Sequence, residues 1–256
     1  MRISVLSSGS RGNSVIVQTS CTKILIDLGV SKSYLEENLK ELNVDPNEIE
    51  GILITHTHVD HVQGLKVFLK KYHPKLYVNE IILSLLKEYI DDFDYELYDS
   101  PNFSIGDIDV TVIKTSHDVK GSVGFILKNN DKSMVYITDT GYINEKYFKA
   151  LTNHNLYVME SNHDINMLME GKYPFHLKQR ILSDKGHLSN NDSSYYLSKF
   201  IGNNTKTIIL AHLSDDNNTY DIALNTLMQT LKKNKYDVEN ILIAKQKKKT
   251  DWIEVW

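Results

Sequence analysis

The sequence predicts an α/β fold in which β-sheets are covered by helices, and three observations predict it. Short β-branched runs bounded by Gly, Ser, Asn and Thr recur along the chain, as strands joined by tight turns do. Longer segments between them carry apolar residues at helical spacing. The succession of strands followed by helices occurs in the first half and again in the second, the pattern of sheets with helices on their outer faces.

The runs Ile3–Leu6, Val15–Val17 and Lys23–Ile26 read as strands. A helix is expected from about Ser31 to Leu42: Ser31 or Ser33 can accept a free backbone N–H at its start, and Leu35, Leu39 and Leu42 share a face. The apolar run Gly51–Ile54 reads as a buried strand that stops at Thr55. Val62–Tyr72 and Glu80–Ile90 have helical spacing, with a short strand at Leu76–Val78 between them. From about Tyr95 to Ile137 the β-pattern returns, clearest in Ile108–Ile113, Val123–Leu127 and Met134–Ile137. Leu156–Met159 and Thr207–Leu210 are further apolar strands, and Leu177–Leu182, Ser193–Phe200 and Ile222–Leu231 read as helices. Ile241–Ala244 and Trp252–Trp256 close the chain. No internal repeat, low-complexity tract or long linker divides it, so residues 1–256 are expected to form one domain.

With 41% hydrophobic and 24% charged residues the chain can bury a sizeable core. A net charge of −4 supplies no global basic field for unspecific nucleic-acid binding, although local patches can override that average. The only cysteine, Cys21, lies in a polar turn and has no internal partner, which fits a reducing compartment. The N-terminus has no apolar stretch of signal-peptide length, and no run approaches the ~18 apolar residues of a membrane helix. A cytoplasmic protein with no membrane partner is the expectation.

Most of the chemistry is concentrated after the Gly51–Ile54 strand, in Thr55-His56-Thr57-His58-Val59-Asp60-His61. Imidazole nitrogen and carboxylate oxygen both suit zinc, manganese or iron. His56 and His58, one residue apart in an extended segment, point to the same side and can grip one ion; Asp60 and His61 point elsewhere and suit a second. Lone His and Asp residues at strand ends are usually idle, but four donors within six positions are a metal motif. Three more ligand-type residues follow apolar β-runs: His117 after Val110–Ile113, Asp139 after Val135–Ile137 and His212 after Ile208–Leu210. Sites in open α/β folds gather beyond the carboxyl ends of strands, so the recurrence makes physical sense.

His-x-His-x-Asp-His followed by a lone His, a lone Asp and a lone His resembles the metallo-β-lactamase fold superfamily. The resemblance spans nearly the whole chain, because Asp27 in Leu-Ile-Asp-Leu-Gly fits that family's first motif. It implies a four-layer αββα sandwich with the site at one edge between the sheets. It implies one metal on His56, His58 and His117, a second on Asp60, His61 and His212, and Asp139 bridging the two. Asp27 would orient the ligand loop without being a ligand. Two divalent ions, Zn or Mn, would share a water that loses its proton near neutral pH and attacks a phosphodiester, thioester, lactone or β-lactam. A bridging carboxylate at Asp139 is unlike the true β-lactamases and more like phosphodiesterases, nucleases and thioesterases.

Local strings narrow the expectation. In Ser7-Ser8-Gly9-Ser10-Arg11-Gly12-Asn13-Ser14 the glycines can turn backbone amides inward, and Ser8, Ser10, Arg11 and Asn13 can meet phosphate oxygens; a plain hairpin turn reads as well. In Gly186-His187-Leu188-Ser189-Asn190, His187 can protonate a leaving group or merely cap a helix. With Glu160-Ser161-Asn162-His163-Asp164 and His212 to Asn218, these strings resemble the YycJ or WalJ branch. That resemblance implies a manganese- or zinc-dependent 5′-to-3′ exonuclease on double-stranded DNA. Asp60 and His187 are then the expected catalytic residues, and Lys178 and Arg180, in the cationic stretch before His187, the expected DNA contacts. Two alternatives stand beside it: a small-molecule hydrolase (thioesterase, lactonase or cyclic phosphodiesterase), which the acidic balance favours, and a non-catalytic metal-binding regulator, which a complete ligand set disfavours.

Overall fold

The computed structural model describes residues Met1–Trp256. The first sheet contains β1 (Arg2–Ser7), β2 (Ser14–Gln18), β3 (Lys23–Ile26), β4 (Gly51–Leu53), β5 (Lys75–Val78) and β6 (Tyr95–Leu97). The second contains β7 (Asn102–Ile105), β8 (Ile108–Lys114), β9 (Val123–Asn129), β10 (Lys132–Ile137), β11 (Leu156–Glu160), β12 (Thr207–Ala211) and β13 (Asn240–Ile243); β14 (Ile253–Glu254) returns to the first. The strand orders are β14-β1-β2-β3-β4-β5-β6 and β13-β12-β11-β10-β9-β8-β7. Each sheet begins antiparallel, through β1–β3 and β7–β10, and continues parallel, through β3–β6 and β10–β13. The echo between the halves of the sequence is this repeated half-sheet.

Alternation along the strands sets the layers. Met134 and Tyr136 of β10, Leu156 and Val158 of β11, and Ile209 and Ala211 of β12 join the core shared with the first sheet. Their neighbours Val135, Ile137, Tyr157, Met159, Ile208 and Leu210 face the other way, into a second apolar cluster. Helices α1 (Lys32–Glu41), α2 (Val59–Val62), α3 (Leu65–Tyr72) and α4 (Glu80–Leu86) lie in the first half of the chain. Leu35 and Leu39 of α1, Phe68 and Leu69 of α3 and Leu83 and Leu86 of α4 pack with the first sheet. In the second half lie α5 (Phe148–Leu151), α6 (Ile165–Glu170), α7 (Phe175–Ile181), α8 (Asn190–Phe200) and α9 (Tyr220–Asn234). Leu197 and Phe200 of α8 and Leu227 and Leu231 of α9 cover the second sheet. The result is helix, sheet, sheet, helix.

Ser31 caps α1 by accepting from Tyr34 N. The single helix expected over Val62–Tyr72 is instead two, because the ligand loop makes its own turn, α2, before Gly64 starts α3. The helix expected over Glu80–Ile90 stops at Leu86. No helix is long and apolar enough to cross a membrane.

Candidate metal centre

The polar residues converge beyond the carboxyl ends of β3, β4, β8, β10, β11 and β12. Asp27 follows β3 with a left-handed backbone (φ 58°) and is fully buried. Its Oδ1 accepts from Thr55 N at 2.8 Å, and its Oδ2 accepts from Thr55 Oγ1 at 2.9 Å and from His61 Nδ1 at 2.8 Å. The ligand loop is pressed tightly onto the segment after β3: a Cβ on Gly29 would lie 1.6 Å from Asp60 O, and Leu28 N donates to His61 O at 2.8 Å. Only glycine permits that approach.

His56 Nε2 lies 3.1 Å from His58 Nδ1, which lies 3.3 Å from His117 Nε2. The opposite nitrogens each have an acceptor nearby: Thr55 Oγ1 at 3.1 Å from His56 Nδ1, Asp118 Oδ1 at 3.4 Å from His58 Nε2 and Gly186 O at 3.2 Å from His117 Nδ1. That arrangement selects the tautomers and turns three lone pairs toward one point. Burial pushes all three pKa values down, that of His56 well below the usual value, and the charge of His61 adds to the effect at His56 and His58.

The ligand atoms of Asp60, His61 and His212 form a second group within 4.8 Å of one another, and those of His56, His61 and Asp139 a third. Asp139 stands between the first two groups: Oδ2 is 3.2 Å from His61 Nε2, and Oδ1 is 3.9 Å from His117 Nε2 and 3.5 Å from His212 Nδ1. Asp139 and His212 also have left-handed backbones, with φ of 56° and 55°. Burial pushes His61 down, but the Asp27 and Asp139 carboxylates outweigh it and hold His61 at about 10. Burial also opposes protonation of His212, yet Asp139, Asp60 and Glu160 hold it well above the usual histidine value. Protons on these two rings balance the buried carboxylates in the metal-free chain.

Glu160, at the end of β11, entered the sequence reading only within a family string, with no role of its own. It is fully buried, and its Oε1 accepts from His187 Nδ1 and His212 Nδ1, both at 2.8 Å. Its Oε2 accepts from Thr140 N and Leu188 N, both at 3.1 Å. Burial raises its pKa, but His187 and the hydrogen bonds from both rings hold the carboxyl at about 2. His187 is thereby fixed with Nε2 as its unengaged nitrogen, and His212 with Nε2 toward Asp60 Oδ2 at 3.7 Å. A signal was present: Glu160 follows an apolar strand, just as His117, Asp139 and His212 do. Asp118 was missed too, beside His58 and His117 at 3.4 and 3.3 Å.

These residues fit divalent metal ions. Asp139 Oδ2 and His212 Nε2 are buried without a hydrogen-bond partner. Two nitrogens bound to one tetrahedral ion would be about 3.3 Å apart, close to the observed imidazole contacts.

Of the residues expected to meet substrate, Ser8 and Asn13 are turned inward, whereas Ser10, Arg11 and Arg180 are exposed. Asn13 is fully buried; its Oδ1 accepts from Gly9 N at 2.8 Å, and its Nδ2 lies 3.3 Å from Asp60 Oδ2 and 2.9 Å from His61 Nε2. Ser8 is buried and its Oγ accepts from His212 N at 2.8 Å. Both brace ligand loops instead of facing solvent. Ser10 and Arg11 are exposed at the tip of the loop, with Arg11 paired to Asp215 at 3.2 Å. Lys178 is half-buried and donates to Met169 O at 2.6 Å. Arg180 binds Asp118 at 2.5 Å, which turns its charge into the rim of the centre.

The description of a β-lactamase superfamily domain matches residues 22–212. The chain is 39% identical over 238 residues to the exodeoxyribonuclease WalJ of Streptococcus pneumoniae, covering 90% of this chain and 88% of that protein. It is 37% identical over 244 residues to the exodeoxyribonuclease YycJ of Bacillus anthracis, covering 93% and 92%. Among solved structures, the metallo-β-lactamase fold protein YhfI of Bacillus subtilis superposes with a TM-score of 0.74 at 15% identity, over 97% of this chain and 98% of that one. A shared fold, an edge lined with histidines and carboxylates, and whole-length relatives converge: the chain belongs to the metallo-β-lactamase-fold superfamily, in the group of WalJ and YycJ.

Proposed function

We propose that this protein is a metal-dependent phosphodiesterase acting on DNA, an exodeoxyribonuclease, with one divalent ion on His56, His58 and His117, a second on Asp60, His61 and His212, and Asp139 between them. One observation carries the reading: these donor groups converge in a chain whose whole-length relatives are exodeoxyribonucleases. When bound, the ions supply Lewis acidity, lowering the pKa of water and offsetting the charge that builds on an attacked phosphodiester. Asp27, Thr55, Gly186 and Glu160 orient the ligand rings. His187, held by Glu160, offers Nε2 to carry a proton to the leaving oxygen. Arg180 is steered by Asp118 to the rim, where a phosphate would pass. The core shared by the two sheets supports a single-domain reading of residues 1–256. A cytoplasmic setting fits the free thiol of Cys21.

The test is hydrolysis of end-labelled linear double-stranded DNA by metal-stripped protein refilled with manganese or zinc, with Asp139→Ala as control. Metal-dependent shortening from one end, absent in the control, is the expected result. No cleavage by protein shown to hold two ions would refute the reading. His187→Ala should slow cleavage about 100-fold or more with metal content unchanged; loss of metal would instead make His187 a ligand.

A further inference from the structure

A cavity of about 210 Å³ opens beside the His212 loop, lined by Ser8, Leu213, Ser214, Tyr220, Ala244 and Gln246 among others. Ser8 joins it to the metal centre. Its Oγ accepts from His212 N, which leaves the hydroxyl proton free to donate.

Gln246 is only 9% exposed, yet its Oε1 has no partner and its Nε2 reaches only Leu213 O at 3.5 Å. Its main chain is fixed: Gln246 O accepts from Ser7 Oγ at 2.6 Å, and the preceding Lys245 O accepts from Ser8 N at 3.1 Å. The side chain lies against Gly9 (φ 133°), where a Cβ would come within 2.7 Å of it. A glycine with a left-handed backbone thus makes room for a buried amide whose hydrogen-bonding capacity is unspent, an arrangement that is costly unless something binds there.

The rest of the wall suits a flat heteroaromatic ring. Leu213 and Ala244 are buried and apolar. Tyr220 is 43% exposed, and Lys245 Nζ stands 5.4 Å from the centre of its ring. Lys247 and Lys248 are exposed in the adjoining turn, which an antiparallel bridge between Lys245 and Lys248 closes. An amide presents a donor next to an acceptor, the pattern found on nucleobase edges, while an aromatic face accepts any base.

We infer that this cavity holds a nucleobase of the DNA strand whose phosphodiester lies at the metal centre. Gln246 meets the base edge, Tyr220 its face, and the Lys245–Lys248 turn the phosphates. The inference rests on the nuclease reading above and assigns the lysine turn to the substrate path.

The test titrates deoxynucleoside 5′-monophosphates, and deoxyribose 5-phosphate as a base-free control, into the zinc-loaded chain. NMR follows the side-chain amide of Gln246 and the backbone amides of Ser214 and Tyr220. The nucleotides should shift these signals, the control should not, and Tyr220→Ala should weaken nucleotide affinity about tenfold without lowering the melting temperature. Equal shifts from nucleotide and control, or unchanged affinity in both Tyr220→Ala and Gln246→Ala, overturn the inference. On DNA, an abasic terminal residue should raise KM about tenfold in the wild type and have no effect in Tyr220→Ala. DNA cut with equal KM at intact and abasic ends refutes the base pocket and leaves the nuclease reading standing. Absence of any DNA cleavage sinks the nuclease reading, and the nucleotide titration still decides the pocket.

Discussion

Glu160→Gln isolates the group that holds two imidazoles at once. The substitution keeps the shape but turns one oxygen into an NH2, which must face either the two ring N–H donors on Oε1 or the two backbone N–H donors on Oε2. Either choice sets donor against donor in a fully buried place. The carboxyl is held at about 2 against an ordinary 4.5, and that difference is worth about 3 kcal/mol at 1.36 kcal/mol per unit. Because the folded-state pKa is depressed, this stabilisation is complete above about 4.5 and is lost as pH falls through about 2. Metal-stripped Glu160→Gln should therefore unfold in urea about 3 kcal/mol more easily than the wild type at pH 7, with the gap narrowing toward pH 3. Metal affinity should fall about 10- to 100-fold, since His212 loses the partner that aims Nε2. A stability loss under about 1 kcal/mol at pH 7, or a gap that does not change with pH, would refute this account of Glu160.

Further outcomes follow from the same geometry. His61, held at about 10, and His212, raised well above its usual value, carry protons at pH 7 and must shed them to bind metal; calorimetry in buffers of different ionisation enthalpy should show about two protons released per chain, and none released would contradict the assignment. The same raised pKa of His61 gives the metal-free fold a contribution present below about 6.5 and lost as pH rises through about 10, so apparent metal affinity should climb over that window. At Asp139 (φ 56°) metal-stripped Asp139→Gly should be more stable than Asp139→Ala by about 1 kcal/mol in urea melts, and the reverse order would show that the left-handed backbone is unstrained. Gly29→Ala, whose Cβ would lie 1.6 Å from Asp60 O, should displace the ligand loop and abolish metal retention on gel filtration; full retention would mean the loop can yield.

The layers and the ligand-bearing strand ends were legible in the sequence because both depend on local pattern. The buried runs of β3, β4, β10, β11 and β12 are continuous apolar segments, and a ligand or brace residue follows each of them. Strand β6 was not separable from its surroundings because all three of its residues are exposed and carry no alternation. The bracing roles of Ser8 and Asn13 were illegible for another reason. Each is decided by a partner far along the chain: His212 for Ser8, and Asp60 and His61 for Asn13. A Gly/Ser loop that turns its amides inward has the same composition whether it grips a phosphate or a ligand loop.

The donor groups come from both halves of the fold. His56 to His61 follow β4 of the first sheet, whereas His117, Asp139 and His212 follow strands of the second. Each proposed ion would therefore be a cross-link between sheets that otherwise hold together through apolar packing and a few tethers such as Val123 N to Thr55 O and His212 N to Ser8 Oγ. Binding free energy at the centre then adds to the docking of the two sheets. Amide hydrogen exchange after metal removal should quicken first along this open edge, around Thr55, Val123 and Leu213, while the far ends of the same strands keep their protection. The catalytic edge would be the seam along which the molecule opens, and the metals the clasp that keeps it shut.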